Sequence, residues 1–136
     1  MKIDFAGLQK YAPVLLRIAL SLVFLWFGIN QLIHADMFLG YVPSWMFGPS
    51  GVVPISPNII ISINGVFEIL FGLMLITGIF TRFVAFFLGL HMIGIMTGLG
   101  YNEVAVRDFG LMLATFSIVL HGPDDWCLEN KFWKKV

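Results

Sequence analysis

The sequence is poor in charge, with only 12% of its 136 residues ionic against the roughly 25% usual for a soluble domain. It is poorer still in the groups that carry common chemistries. A single cysteine, Cys127, excludes an internal disulfide and any CxxC pair within one chain, which removes the dithiol class of four-helix membrane oxidoreductases. There is no HExxH motif, no cysteine pair and no cluster of carboxylates, so no metal site is expected. Glycine-rich phosphate loops and serine nucleophile motifs are missing as well, and no stand-alone catalytic engine is visible. The net charge is zero and the last six residues hold the one basic cluster, which argues against a nucleic acid partner. Haem held by two histidines is not expected either, because His34, His91 and His121 fall at the outer edge, the middle and the inner edge of apolar runs.

What the chain has is hydrocarbon. Hydrophobic residues make up 59% of it, concentrated in four nearly uncharged runs at about 13–33, 58–78, 82–100 and 104–121. The expectation is an all-α, integral membrane four-helix bundle forming one domain over 1–136, with the lipid bilayer as its first partner. The first run follows Lys2 and Lys10 as a secretory signal would. Its apolar core is too long for one, and no small-residue cleavage site precedes His34 and Asp36, so it is expected to be retained. Lys2, Lys10, Arg17, Arg82 and the tail lysines 131, 134 and 135 fall on the terminal face or the connection between runs two and three. The other face has only Arg107, which predicts cytoplasmic termini in a plasma membrane.

Local chemistry marks the boundaries. Ser56-Pro57 suits a helix start, Thr81 a cap for the third helix and Gly122-Pro123 an end for the fourth. Residues 35–57 hold four of the six prolines and several aromatics, predicting a long outer loop with one interfacial helical turn at Pro43–Phe47, either an anchor or a lid. The tail "GPDDWCLENKFWKKV" predicts a short amphipathic segment on the inner leaflet, capped by Asp124 or Asp125.

Polar residues inside hydrocarbon are costly, so their positions are informative. In the first run Arg17, Ser21, Phe24, Gly28 and Gln31 recur at helical steps, which turns one stripe toward protein. Gly65, Glu68 and Gly72 share a face in the second, with Asn64 one turn before the glutamate. In the third, His91 lies with Gly94 and Gly98, a GxxxG step that permits close helix contact. At 1.5 Å per residue, Glu68 and His91 both lie about 14 to 15 Å deep. Inserting Glu68 costs about 3 kcal/mol, which the twelve Leu, Ile, Val and Phe of that run offset with roughly 4 to 6 kcal/mol. Its carboxyl must be protonated or paired, and Arg107 and His91 are the candidate partners. Arg107 is expected to face that acid, with Asp108 turned to a neighbouring helix or satisfying Arg107 locally. Two readings stay open: a polar network that fixes helix register, and an outer pocket ringed by Gln31, Asn64, Glu68, His91, Arg107 and Asp108 that binds a small substrate or the head of a quinone.

The segments "LLRIALSLVFLWFGINQL", "NGVFEILFGLMLITGIFTR" and "RDFGLMLATFSIVLHGPDDW" resemble the DoxX family of small four-span prokaryotic membrane proteins, over residues 14–126. The resemblance lies in a spaced set: Arg17 and Gly28, then Glu68, Gly72 and Gly78 with Thr81-Arg82, then Arg107-Asp108. It implies a four-helix membrane bundle. For some members it implies redox work, in thiosulfate oxidation coupled to quinone and in membrane complexes for thiol and radical detoxification. This chain has Gln31 where the family often places a lysine, which weakens an anionic-substrate role. It also lacks the soluble domain appended in some redox members, so electron flow would need a partner. The leading expectation is therefore a membrane subunit of a redox complex with a pocket for quinone or a small sulfur species. The alternative is a structural or assembly factor that binds other membrane proteins or a second copy of itself. A small transporter ranks last, since four spans are few and no discontinuous helix is evident.

Overall fold

Long apolar runs with no water to satisfy their backbone must form helices, because only helices close every hydrogen bond within one segment. A computed structural model of the chain describes residues 5–43, 46 and 54–133. A short helix, α1 (Phe5–Leu8), precedes four long ones: α2 (Tyr11–Ile33), α3 (Pro57–Thr77), α4 (Thr81–Leu99) and α5 (Glu103–His121). All four are long and apolar enough to cross a bilayer, with mean hydropathies from 1.5 to 2.3. The chain is a multi-pass membrane protein, and no strand occurs among the described residues. Side chains such as Leu15, Trp26, Leu70 and Phe83 are more than half exposed because their solvent is lipid.

The helix ends are set by backbone more than by side-chain caps. Pro57 opens α3 with the φ its ring imposes, while Ser56 makes no capping bond. Thr81 is the first residue of α4 and not its cap, a correction to the sequence reading; Phe80 precedes it in the left-handed conformation. Asn102 does cap α5, accepting from the Ala105 N–H at 2.9 Å. Gly78, at φ +70°, ends α3 with paired bonds from Gly78 N–H to Leu75 O and from Ile79 N–H to Met74 O.

Helices α2 and α3 form one close pair, α4 and α5 the other, and the pairs meet along a narrower seam. Gly28 and Gly65 are the point of closest approach in the first pair. A Cβ at 28 would lie 2.7 Å from the Gly65 carbonyl oxygen, and one at 65 would lie 2.8 Å from that of Gly28. In the second pair Gly89 lies beneath the Phe116 ring. Leu20, Phe24, Leu75, Val84, Leu88 and Met112 fill the centre.

The terminal face is closed by the tail. Arg17, 2% exposed, directs Nε to Asp124 Oδ2 at 2.6 Å and Nη2 to Oδ1 at 3.2 Å, while Nη1 donates to the carbonyls of Leu75 and Ile76. Those carbonyls belong to the last turn of α3, so the guanidinium also neutralises the negative end of that helix. Residues 124–130 then wrap the α3–α4 turn: the Glu129 N–H donates to Gly78 O, the Thr81 N–H donates to the Glu129 carboxylate, and the Thr81 hydroxyl donates to the fully buried Cys127 sulfur. The final helix, α6 (Leu128–Trp133), follows. The sequence offers Asp124 or Asp125 as a cap for this helix, and Asp124 does not serve as one. It is instead the acid that satisfies Arg17, because an arginine buried on α2 needs a carboxylate more than an exposed helix start does. Residues 134 and 135 lie outside the described residues.

Burial alone would raise the Asp124 carboxyl, but hydrogen bonds from Arg17 and from the Trp126 N–H, with the Arg17 charge, hold it below the usual carboxylate value. Burial pushes the Cys127 thiol up, keeping it an unreactive thiol. A folded pKa below the unfolded one means that the tail's stabilisation is complete above about pH 4 and is lost as pH falls below it. Trp126 fluorescence should therefore be flat from neutral pH down to about pH 4 and change below it, and this acid transition should vanish in Asp124→Asn.

Candidate functional site

Four polar side chains from three helices converge between the middle of α3 and the loop-side end of α2. Glu68, in the middle of α3 and 2% exposed, accepts from Asn64 Nδ2 at 3.0 Å and from Gln31 Nε2 at 3.2 Å. His91 Nε2 of α4 lies 3.0 Å from the Glu68 Oε1 atom. That distance requires a proton between the two, on one partner or the other. Asn64 also donates to Gln31 Oε1 at 2.8 Å, so the cluster closes on itself. The stripe that turns Gln31 inward passes through the Gly28–Gly65 contact, where two bare backbones bring α2 and α3 close enough for these short side chains to meet.

Asp108 of α5 is 4% exposed. Its Oδ1 receives both Nε and Nη2 of Arg107, at 2.9 and 2.8 Å, and the Arg107 guanidinium lies over the Phe27 ring at 5.3 Å. Among the described residues, no hydrogen bond reaches Asp108 Oδ2. Arg107 was expected to face Glu68, and here the sequence reading is corrected. The arginine is satisfied by its neighbour, and the acid in the bundle is satisfied by His91, Asn64 and Gln31. Adjacent residues lie 100° apart on a helix, so with Asp108 on the buried face the stem of Arg107 is carried to the rim.

Both groups line one cavity of about 590 Å³ on the side of the α2–α3 connection. Its walls are mostly aromatic and aliphatic, including Phe24, Phe27, Phe38, Met92, Ile95 and Leu111. The loop forms its roof: a 3-10 helix (Ala35–Tyr41) packs Phe38 against Phe27 and Tyr41, and Asp36 accepts from Asn58 at the start of α3. Tyr41, Val42, Pro43 and Met46 continue the lining. The interfacial turn expected at Pro43–Phe47 falls largely outside the described residues, Trp45 and Phe47 among them.

Of the seven residues singled out from the sequence, Gln31, Asn64, Glu68, His91, Arg107 and Asp108 line this cavity, and Arg17 does not. Arg17 belongs to the separate cluster at the terminal face. The sequence leaves the roof loop as an anchor or a lid, while the Asp108 oxygen that no hydrogen bond from the described residues reaches escaped sequence reasoning. Among the described residues no group of three or more metal-binding side chains forms. The arrangement offers an apolar chamber with hydrogen-bond donors and acceptors at its deep end, two of the acceptors being carboxylates.

No solved structure matches the chain. A protein of Haemophilus influenzae described as an uncharacterized protein is 29% identical across 95% of this chain and 98% of its own length. The family model described as DoxX matches residues 12–100, through three of the four spans and most of the cavity wall. Fold, buried acid and family model agree: the chain belongs to the DoxX family.

Proposed function

We propose that this protein is a membrane subunit of a redox complex and that its cavity receives the ring of a quinone. The observation that carries this reading is the pairing of aromatic walls with the buried Glu68–His91 couple and an Asp108 Oδ2 that no hydrogen bond from the described residues reaches. A quinone needs flat apolar contact along its ring and polar contact at its two oxygens. Gln31 keeps a second amide N–H for a carbonyl oxygen beyond the one it gives to Glu68, and Asp108 offers an acceptor to a hydroxyl. The same composition disfavours a small sulfur anion, which would face two carboxylates and a single guanidinium already held by Asp108. The distribution of lysine and arginine supports termini on the cytoplasmic side of a prokaryotic plasma membrane, with the cavity on the outer half. Electrons would reach it through a protein partner.

Titration of a short-chain benzoquinone into the purified protein in lipid nanodiscs, followed by calorimetry, tests this. Saturable binding is expected, weakened about tenfold or more in Glu68→Gln and in Asp108→Asn, equivalent to about 1.4 kcal/mol or more for each lost contact. Absence of saturable binding removes the quinone reading.

A second reading, a structural or assembly role, is favoured by the closure of Gln31, Asn64, Glu68 and His91 upon one another. Under it Glu68→Gln lowers the melting temperature and leaves ligand titrations featureless.

A further inference from the structure

The seam between α3 and α4 changes character at the depth of the polar cluster. On α4, Phe83, Phe87, His91, Gly94 and Gly98 recur at steps of four, four, three and four. They lie along one edge, within an arc of about 80°. On α3, Ile60, Asn64, Phe67 and Phe71 form the matching edge. From mid-membrane toward the terminal face, rings close this seam: Phe67 meets the His91 ring at 5.0 Å between centroids, Phe71 meets Phe87 at 6.3 Å, and Phe87 stands 4.6 Å from Phe83. On the other side of His91 the α4 edge carries no side chain. Among the described residues, a Cβ built on Gly94 finds no atom within 4 Å, and one on Gly98 has Pro43 of the loop as its nearest neighbour. The GxxxG step expected to press two helices together does the opposite here: both glycines, with Ile60 and Asn64 opposite them, line the cavity. Ile59, Ile63, Leu90 and Ile93 flank the gap and are exposed, so its rim is hydrocarbon.

We propose that this gap is a lateral slot through which the cavity exchanges its occupant with the bilayer, and that the occupant is an amphiphile whose aliphatic tail leaves between α3 and α4 past Gly94. The proposal rests on the quinone reading of the cavity and narrows it to lipid-borne quinones. The loop covers the aqueous end, with Pro43 against Gly98, while Gly94 keeps the membrane side open. A tail running through an apolar rim stays in hydrocarbon, whereas a hydrated solute would shed its water there. The polar head then comes to rest beside Glu68 and His91 without crossing the loop.

The test compares a benzoquinone without a tail and one with a decyl tail, at matched concentration within the nanodisc bilayer, on wild type, Gly94→Ala and Gly94→Leu. Since a Cβ at 94 has free space among the described residues, Gly94→Ala should not lower the melting temperature, and the melting temperature of Gly94→Leu is read alongside to show that it folds. Wild type and Gly94→Ala should bind the tailed ligand about tenfold more tightly than the ring alone. Gly94→Leu should lose that preference, binding the tailed ligand no more tightly than the ring. Ring binding in wild type with the tail preference intact in Gly94→Leu, or equal loss of both ligands, overturns the slot alone. Failure of wild type to bind either ligand overturns the quinone site and the slot with it.

Discussion

Arg17→Met should destabilise the protein by about 3–5 kcal/mol, the loss typical when one partner of a buried ion pair is removed and the other charge stays behind. Asp124 would be left with the Trp126 N–H and the Cys127 thiol as the donors to its carboxylate among the described residues. The carbonyls of Leu75 and Ile76 would lose a shared donor. Adding Asp124→Leu to the first substitution should recover most of the loss, since an apolar pair of similar volume commonly matches a buried ion pair. Recovery should stop short of completeness because the α3 carbonyls still lack their cation. Unfolding by denaturing detergent, followed through tail fluorescence, gives both quantities. A cost below about 1 kcal/mol for Arg17→Met would show that water reaches the pair and that the terminal face is not sealed.

Gly28→Val should be nearly as damaging, at about 3 kcal/mol, the upper part of the range for forced overpacking. A Cβ at this position meets the Gly65 carbonyl at 2.7 Å and Ile69 Cγ1 at 2.8 Å, and the Ile69 backbone nitrogen blocks retreat at 3.0 Å. Backbone cannot rotate aside as a side-chain tip does, so α2 and α3 must separate. The separation reaches Gln31, one turn away, and pulls it from Glu68 and Asn64. The measurement is a drop in melting temperature together with loss of benzoquinone binding. Gly94→Ala, on the open edge of α4, is the matched control and should change neither.

These contrasts show what the sequence could reveal. The four helices lie over the apolar runs because hydrocarbon length alone decides where a span forms. The inward turn of Glu68 and His91, and their common depth, follow from a charge that lipid rejects and from a fixed rise per residue. Partner choice is different, because it is settled by donor count and by which face each helix presents. Glu68 already has donors in Gln31 and Asn64 and shares a proton with His91, so it has little need of Arg107, and no periodicity encodes that. Arg17 was legible as buried, but its acid lies 107 positions away in a tail that reads equally well as a helix cap. Gly94 and Gly98 show a deeper ambiguity: a side chain is absent both where helices touch and where they must stay apart, and the pattern is identical.

The tie between Arg17 and Asp124 joins the first of the four long helices to a segment that is made only after the fourth. While the later helices are being made, the guanidinium waits in or beside the bilayer without its carboxylate. The last turn of α3 supplies two carbonyls in the meantime. Closure of the terminal face thus waits until residue 124 has been made, and a chain halted before it would display an unsatisfied cation by which membrane quality control could recognise it.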